Sequence, residues 1–402
     1  MSGSRLPLVA PLDPGEVCAA VRSLPRVHPV GAGTKPPLSA APADAATLDL
    51  SGLRGVLDYE PSEFTVTALA GTPLVEISAV LGEHRQYLPC DPPFAARGAT
   101  LGGAVASGIS GSGRQRYGGL RDFLIGVAMV GGDGVLVRGG GRVVKNAAGF
   151  DLPKLMVGSL GTLGVLVELT FKVFPRPEST RTLRVAAGDF ARAHRIVLGL
   201  AAAPLDLDAL DLEPGGCEPG ACEPGSSWQV LARIGGAVDS LAARTRRIEG
   251  FLGADRRQVV AEAIGGPAEE ELWSDVGEAA WLPPGHRLVR VPIAPSRAAS
   301  VEDAIASAAS GAGHDPPRRY VAGCSVLWLA WAPERPLSEL GRLLARQQLA
   351  GQVVVGEASA PLIGELPGLP FYRRLKRALD PEDRFRDLAE LRPAHGELEA
   401  GA

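Results

Sequence analysis

The chain has 402 residues, of which 46% are hydrophobic, so it is long enough for two or three globular domains with buried cores. Its 41 basic and 45 acidic residues give a net charge of −4, which argues against nucleic-acid binding, because that function needs a basic surface. No uncharged run is long and apolar enough to span a membrane, so we expect membrane contact only through partner proteins. The scattered cysteines and the lack of a signal-peptide pattern predict a cytoplasmic protein, with a location against the inner face of the cell membrane as an alternative.

Short strands dominate the first part of the chain. Between residues 64 and 70, apolar Phe64, Val66 and Ala68 alternate with Thr65 and Thr67, a pattern typical of half-buried strands. Strands are predicted at residues 26–30, 47–50, 55–59, 64–70, 124–130, 135–137 and 164–173.

One helix is predicted directly after residue 71. Thr72 is its expected N-cap, and Pro73 suits the first helical position. Leu74, Ile77 and Leu81 then share one face, which we expect to pack against the core.

A second domain is predicted after the two prolines that flank Arg176, which indicate a linker. Strands are expected at residues 182–186, 228–234, 288–293, 326–331 and 352–355, and helices within residues 190–201, 241–252, 267–281, 300–309 and 337–348. This order predicts two strand–helix–strand units in one sheet, as in a ferredoxin-like or duplicated α+β layer. We therefore expect an α+β protein with a first domain of residues 1–177 and a second of residues 178–402, which would cap the substrate or dock a partner.

A Glu-Pro-Gly repeat lies between residues 213 and 225 and contains Cys217 and Cys222. The spacing of these cysteines permits a metal or redox site. A surface loop lengthened by repetition is the favoured interpretation, because no other cluster of ligands accompanies the repeat.

Glycine is concentrated between Gly98 and Gly164, where 19 of the 51 glycines fall within 67 residues. A separate short stretch, residues 31–35, follows a predicted strand and has the sequence Gly-Ala-Gly-Thr-Lys. It lacks the third glycine and the long helix of a Rossmann motif, and its spacing is not that of a Walker A loop. A loop whose amides cradle a pyrophosphate and a plain tight turn both remain open interpretations.

Two longer stretches complete the pattern. The second contains Gly-Ala-Thr-Leu-Gly-Gly-Ala-Val-Ala-Ser-Gly-Ile-Ser-Gly at residues 98–111, and the third spans residues 145–165. In this order and spacing, the three stretches resemble the FAD-binding domain of the vanillyl-alcohol oxidase/p-cresol methylhydroxylase superfamily, and within it the FAD-binding (E-type) subunits of bacterial glycolate oxidases. The resemblance covers about residues 25–177 and implies two subdomains that hold FAD, with the flavin ring facing the second domain.

The resemblance also implies which residues contact FAD. Backbone amides and a cation suit the pyrophosphate, and small residues allow close approach of the flavin. The expected contacts are Gly31, Ala32, Gly33, Thr34 and Lys35 for the pyrophosphate, Pro92, Thr100, Gly102, Gly103, Gly108 and Ser110 for the flavin, and Thr162, Gly164 and Val165 for the adenine or ribose.

FAD is expected to be bound non-covalently. Superfamily members with covalent FAD often have a histidine in or near the pyrophosphate loop, whereas this loop ends in Thr34 and Lys35. His28 and Cys90 are alternative attachment points, and an ordinary structural role is favoured for both.

The reaction implied by the resemblance is the oxidation of a small 2-hydroxyacid to a 2-oxoacid, with hydride transfer to the flavin. The chain would be one subunit of a glycolate oxidase-type complex, beside a second flavin subunit and an iron–sulfur subunit. A self-sufficient FAD-linked oxidoreductase on another alcohol or hydroxyacid and a non-catalytic scaffold subunit are the alternatives.

No catalytic residues are identified from the sequence. The six histidines form no short-spaced pair for a substrate-side metal, and no cluster of arginines or lysines is apparent for a carboxylate. Lys145 and Arg121 are candidates for stabilising a reduced flavin, with surface ion pairing as the alternative. We therefore expect the isolated chain to oxidise glycolate or D-lactate poorly.

Overall fold

The computed structural model describes residues 7–141, 151–215, 227–253, 260–312 and 315–393. Its first part contains ten strands and seven helices within these residues. The strands are β1 (Leu8–Val9), β2 (Val27–Val30), β3 (Ala46–Asp49), β4 (Val56–Glu60), β5 (Thr65–Leu69), β6 (Gln86–Tyr87), β7 (Leu124–Val130), β8 (Leu136–Gly140), β9 (Val165–Lys172) and β10 (Phe174–Pro175). The helices are α1 (Pro14–Ser23), α2 (Pro36–Ser39), α3 (Leu74–Gly82), α4 (Leu101–Ser107), α5 (Arg114–Tyr117), α6 (Leu120–Phe123) and α7 (Leu152–Met156).

These elements form two subdomains. The first is a three-stranded parallel sheet in the order β1–β3–β2, and the second is a five-stranded antiparallel sheet in the order β4–β5–β9–β7–β8. The loop of residues 31–35 leaves the parallel sheet directly after β2, and α4 packs near β9 of the antiparallel sheet. The predicted two-subdomain architecture is therefore present, and described glycines from all three glycine-rich stretches line one cleft between the two sheets.

The second part contains nine strands and six helices among the described residues. The strands are β11 (Ser179–Gly188), β12 (Ala209–Pro214), β13 (Trp228–Gly236), β14 (Val260–Gly265), β15 (Arg287–Pro292), β16 (Arg318–Val321), β17 (Val326–Trp331), β18 (Ala350–Val355) and β19 (Leu362–Gly364). The helices are α8 (Phe190–Ala202), α9 (Val238–Leu252), α10 (Pro267–Gly277), α11 (Ala298–Ala312) and α12 (Leu337–Arg346), and α13 (Leu369–Leu379) follows β19.

All nine strands form one sheet in the order β14–β11–β13–β12–β16–β17–β15–β18–β19. The first four strands follow a strand–helix–strand–strand–helix–strand order, and so do the next four, so each half is a ferredoxin-like unit. The two halves join edge to edge, where Leu212 of β12 pairs with Tyr320 of β16. The prediction of a ferredoxin-like α+β second domain is confirmed.

Two features of the local structure differ from the sequence-based expectation. Pro73, and not Thr72, is the N-cap of α3, because the Thr72 hydroxyl instead donates to the Leu69 carbonyl at 2.7 Å and accepts the Gly55 amide. The helix α4 was not predicted, since its glycines and small residues give no hydrophobic period. The predicted buried face of α3, which contains Leu74 and Ile77, is confirmed.

The segment after β19 returns to the first domain. Arg384 accepts a hydrogen bond from the Val27 amide through its backbone carbonyl, at 2.8 Å, and Phe385 packs in the core beside β2 and β3. The Gly132 amide of the first domain donates to the Leu379 carbonyl at 2.9 Å. The expected second domain, residues 178–402, therefore includes a segment whose contacts are with the first domain. Within the described residues, no helix is long and apolar enough to cross a membrane.

A buried ion pair fixes this returning segment. The Lys376 ammonium lies 2.5 Å from the Asp380 carboxylate, which also accepts the amides of Arg384 and Phe385. Removing one partner of a buried pair leaves the other charge without compensation.

Asp380→Ala should therefore lower the free energy of unfolding by about 3–5 kcal/mol, measured from urea denaturation curves. Asp383→Ala is the matched control, because Asp383 is exposed and its carboxylate is 3.7 Å from the same ammonium. The control should cost no more than about 1 kcal/mol. Equal effects of the two substitutions would contradict this account.

Candidate functional site

A cleft of about 760 Å³ lies between the two subdomains of the first domain. Its walls are the loop after β2, the start of α4 and the segment before β9. The lining residues are Pro29, Val30, Gly31, Ala32, Gly33, Thr34, Lys35, Leu38, Ser39, Leu50, Ala70, Thr100, Gly102, Gly103, Ala106, Ser107, Ser159, Leu160, Gly161, Gly164 and Leu166. We call this space the dinucleotide cleft, because backbone loops form its walls.

Close backbone approaches shape the dinucleotide cleft. A Cβ at Gly31 would lie 2.5 Å from the Thr100 hydroxyl, so glycine lets the loop after β2 contact the start of α4. The same Thr100 hydroxyl accepts the Gly103 amide at 3.2 Å and caps α4. Gly33 has a φ of +66°, a backbone conformation that favours glycine, and turns the loop over the cleft.

The two central glycines of α4 differ in what they face. A Cβ at Gly102 would lie 2.8 Å from the Cβ and the carbonyl oxygen of Ala70, so this glycine is required by the fold itself. Among the described residues, a Cβ at Gly103 would meet the Thr100 hydroxyl alone, at 3.0 Å, and would otherwise project into open space. Gly103 therefore keeps the cleft open for a ligand.

Lys35 supplies the positive charge of the dinucleotide cleft. Its side chain is 5% exposed, and within the described ranges no acidic residue forms an ion pair with it. Burial lowers the pKa of the Lys35 ammonium to about 8. The ammonium lies 5.6 Å from the centre of the Phe94 ring. A buried ammonium without a counter-charge favours an anionic ligand.

A second polar group in the cleft also lacks a partner. The Ser159 hydroxyl is buried and has no hydrogen-bond partner among the residues that the structure describes. A buried polar atom without a partner is costly, so its position at the cleft wall favours a polar ligand. Together with Lys35 and the open surface at Gly103, it gives the cleft the features that a dinucleotide with a pyrophosphate needs.

The structure brings nine of the predicted FAD contacts together in the dinucleotide cleft, and their roles in binding stay predictions. They are Gly31, Ala32, Gly33, Thr34, Lys35, Thr100, Gly102, Gly103 and Gly164. Three further cleft residues were not predicted: Ser159, Leu160 and Gly161. They lie within the third glycine-rich stretch, which is the feature of the sequence that could have indicated them.

The other five predicted contacts are not among the residues lining the cleft. Gly108 ends α4 and packs on Gly158, and a Cβ there would lie 3.0 Å from the Gly158 Cα. The Ser110 hydroxyl accepts the Leu120 amide at 3.0 Å, and Thr162 donates to a carbonyl of its own turn. Val165 is buried in β9, and Pro92 lies between two residues that line a second cavity.

That second cavity, of about 470 Å³, lies between the two domains, and we call it the interdomain cavity. Phe94 lies between the two spaces. It lines the interdomain cavity, and its ring faces the Lys35 ammonium of the dinucleotide cleft. The lining residues are Asp91, Pro93, Phe94, Gly111, Ser112, Val276, Gly277, Ala279, Trp281, Leu288, Arg319, Val321 and Trp328. A ligand that extends from the dinucleotide cleft past Phe94 would reach the face of the nine-stranded sheet.

Two arginines lie in register on that face of the sheet. Arg290 of β15 and Arg319 of β16 both pair with Trp328 of β17, so the three side chains point to the same side. The expectation that no cluster of arginines or lysines exists is therefore wrong. The two arginines are 29 positions apart in sequence, and it is the sheet register that brings them together.

Both guanidinium groups retain unused donors. The Nε and Nη2 atoms of Arg319 and the Nε atom of Arg290 are buried without a hydrogen-bond partner among the described residues. Burial, with the nearby charge of Arg114, lowers the pKa of Arg290 to about 10. Two carboxylates balance the charge of Arg319: Glu213 lies 2.5 Å from Nη1, and Asp211 lies 3.7 Å from Nη2. The free donors suit a small carboxylate.

Other candidates lie elsewhere. His28 is buried in β2, where burial lowers the pKa of its imidazole to about 4, and it does not line the dinucleotide cleft. Cys90 is fully buried, and burial raises the pKa of its thiol. Arg121 is exposed and does not line either space. Lys145, Cys217 and Cys222 lie outside the described residues, among which no group of three or more metal-ligating side chains occurs.

Comparisons with known proteins cover the part of the chain that contains the dinucleotide cleft. Residues 7–140 match the family model of the FAD binding domain. The glycolate oxidase subunit GlcE of Escherichia coli is 48% identical over 143 residues, which are 36% of this chain and 41% of the relative. The cytochrome-dependent D-lactate dehydrogenase 1 of Saccharomyces cerevisiae mitochondria is 31% identical over 42% of this chain and 28% of its own length. The glycolate oxidase subunit GlcD of Bacillus subtilis is 30% identical over 44% of this chain and 38% of its own length.

The fold comparison covers more of the chain. A solved alkyldihydroxyacetonephosphate synthase superposes with a TM-score of 0.69 over 94% of this chain and 74% of that enzyme, at 15% identity. The first domain is therefore an FAD-binding domain in a fold of the vanillyl-alcohol oxidase type, and the resemblance to glycolate oxidase FAD-binding subunits is confirmed. The sequence alignments span less than half of the length of these curated relatives.

The contrast between the two glycines of α4 can be tested directly. Gly103→Ala should lower FAD affinity at least tenfold and leave the melting temperature unchanged, because the added methyl group enters the cleft. Gly102→Ala should lower the stability of the FAD-free protein by about 1–3 kcal/mol, because the methyl group meets Ala70. Flavin fluorescence titration and thermal unfolding give the two measurements, and loss of stability in both variants would refute the assignment.

FAD binding should also depend on pH through Lys35. The ammonium has a pKa of about 8 without a ligand, and a pyrophosphate beside it would raise that pKa, so binding takes up a proton. FAD affinity should therefore fall by up to tenfold per pH unit above pH 8. Lys35→Met should bind FAD more weakly at pH 7 and lose this pH dependence. An unchanged pH profile in the variant would show that another group controls binding.

Proposed function

We propose that the chain is an FAD-dependent oxidoreductase subunit that oxidises a small 2-hydroxyacid, of the glycolate type, to the 2-oxoacid. The observation that carries this proposal is that two sites lie on either side of Phe94. The dinucleotide cleft holds the buried Lys35 ammonium, 5.6 Å from the centre of the Phe94 ring, and Phe94 also lines the cavity walled by Arg319, with Arg290 in the same register. The first site suits FAD, and the second suits a carboxylate.

Each part of the chain has a distinct task in this proposal. Lys35 and the amides of residues 31–34 would bind the pyrophosphate of FAD, and the bound flavin would supply a two-electron hydride acceptor. Arg319 and Arg290 would bind the substrate carboxylate and orient the hydroxyl-bearing carbon. Trp328 and Phe94 would exclude water from the interdomain cavity, which strengthens both charge interactions.

FAD attachment is proposed to be non-covalent. The dinucleotide cleft contains no histidine among its lining residues, and both alternative attachment points, His28 and Cys90, are buried outside it. Precipitation of the protein with acid should therefore release the yellow colour into the supernatant. Colour that remains in the pellet would contradict non-covalent binding.

Electrons are proposed to leave through partner subunits. The described cysteines, Cys18, Cys90 and Cys324, are free and buried at separate positions, so they do not form an iron–sulfur site. Since the similar Escherichia coli protein is a subunit of glycolate oxidase, we propose a second flavin subunit and an iron–sulfur subunit as partners. We place the complex in the cytoplasm, with any membrane contact made through those partners at the inner face of the cell membrane.

Anaerobic mixing with glycolate or D-lactate tests the proposed activity. The sequence predicts poor oxidation by the isolated chain, whereas the structure leads us to expect that the flavin of the purified chain bleaches, because Arg319 and Arg290 can donate hydrogen bonds to the substrate carboxylate. A flavin that stays oxidised with both acids, in the presence and absence of the partners, would overturn the proposed function.

The roles of the two arginines predict a specific pattern. Arg290→Gln and Arg319→Gln should each raise the apparent Kd for the hydroxyacid by ten- to a hundredfold, since each removes a charged donor worth about 1.5–3 kcal/mol. FAD content should stay unchanged. Arg138→Gln, which removes an exposed cation paired with Glu168, is the control and should bind the acid normally. An unchanged affinity in both test variants would exclude the carboxylate site.

A further inference from the structure

A third space adjoins the interdomain cavity. This outer cleft, of about 1,490 Å³, lies between Tyr87 and Tyr117 of the first domain and Arg233 and Trp273 of the second. Asp91 lines both the interdomain cavity and the outer cleft, so its side chain lies where the two spaces meet. A substrate that enters through the outer cleft would pass Asp91 before it reaches Arg319.

The backbone around Asp91 is held firmly. A Cβ at Gly111 would lie 2.2 Å from the Asp91 carbonyl oxygen, and one at Gly113 would lie 2.3 Å from the Pro89 carbonyl oxygen. The Gly111 amide donates to the Cys90 carbonyl at 3.0 Å. Asp91 itself has a φ of +51°, an uncommon backbone conformation for a residue with a side chain. Strain of this kind persists where the surrounding structure fixes it, and it is frequent at functional sites.

The Asp91 carboxylate has no fixed partner. No hydrogen bond or ion pair joins it to another residue in the described part of the chain, in contrast to Asp208, which forms an ion pair with Arg116 at 2.6 Å. Asp91 is exposed at the outer cleft, and the protein surrounding it disfavours the charged carboxylate and raises its pKa, while the more distant charge of Arg233 opposes that shift. An unpaired carboxylate with a raised pKa has the properties of a general base.

We propose that Asp91 is the catalytic base that accepts the hydroxyl proton of the 2-hydroxyacid. This inference rests on the proposed function. It adds a proton acceptor, which the two arginines proposed to bind the carboxylate do not provide. The substrate O–H bond breaks as its proton passes to an Asp91 carboxylate oxygen, and the oxygen electron pair forms the new C=O bond. The C–H bond at the same carbon would break, and its two electrons would pass with the hydrogen, as a hydride, to the flavin of bound FAD.

Other charged or titratable groups at these spaces fit the role less well. Burial, together with the neighbouring Tyr117, raises the pKa of Tyr87 well above its ordinary value. The remaining charged groups that face the outer cleft or the interdomain cavity are Arg176, Glu178, Asp208, Arg233, Glu270 and Arg319. Of the carboxylates in this set, Glu178, Asp208 and Glu270 line the outer cleft but not the interdomain cavity.

Asp91→Asn tests the role, with Glu270→Gln as the matched control in the outer cleft. In Asp91→Asn, the rate of flavin reduction by glycolate should fall by about 10²–10⁴-fold, the usual contribution of a general base. FAD content should be unchanged. Glu270→Gln should keep both the rate and the FAD content of the parent protein.

A binding measurement gives a readout that does not depend on turnover. Oxalate, a dicarboxylate with no hydride to lose, should bind Asp91→Asn several-fold more tightly than the parent protein at pH 8, because the substitution removes a negative charge beside the ligand. The affinity of the parent protein should fall as pH rises through the pKa of Asp91, whereas that of Asp91→Asn should not. Glu270→Gln should follow the parent protein.

The outcomes separate this inference from the proposed function. If the parent protein reduces its flavin with glycolate and Asp91→Asn does so equally fast, the base assignment is wrong while the proposed function stands. Loss of FAD from Asp91→Asn, or oxalate affinity identical to that of the parent protein, would likewise overturn the assignment. If no 2-hydroxyacid reduces the FAD-loaded parent protein, the proposed function fails and the base assignment fails with it.

Discussion

The site depends on backbone segments that approach each other too closely for any side chain. Gly31 lies against Thr100, Gly102 against Ala70, and Gly111 against the carbonyl of Asp91, each where a Cβ would be 2.8 Å or less from its neighbour. These contacts join the loop after β2, helix α4 and the loop before α4 into one unit. Because the backbone occupies so little space, the dinucleotide cleft stays open between two sheets that would otherwise pack together.

The interdomain cavity depends in turn on how the two domains meet. The buried Asp211 carboxylate of β12 accepts the Ser112 hydroxyl of the first domain at 2.6 Å and the Ala322 amide of a hairpin turn at 3.1 Å. Burial raises the pKa of Asp211 to about 6, although Arg319 opposes the shift. One acidic side chain therefore connects the first domain, the seam between the two ferredoxin-like halves and an arginine of the cavity wall.

Much of this arrangement could be predicted from the sequence, because local signals specify it. The alternation in β5, the apolar face of α3 and the order of strands and helices after residue 178 are short-range patterns, and they led to the correct fold class. The glycine-rich loops led to the dinucleotide cleft for the same reason. The placement of Arg290 and Arg319 on either side of Trp328 could not be predicted, since it arises from the register of β15, β17 and β16. Asp91 was also missed, because a single carboxylate in a proline-rich loop carries no periodic signal.

The return of the C-terminal segment has a consequence for the synthesis of the chain. β2 lies at the edge of its sheet, and the Val27 amide on that edge is covered by the carbonyl of Arg384, 357 positions later. Domains generally begin to fold on the ribosome from the N-terminus. This first domain, however, exposes a hydrogen-bonding edge beside the loop of residues 31–35 until Arg384 has been translated. A nascent chain is therefore open to pairing with other proteins at that edge until the segment around Arg384 has been made and has docked.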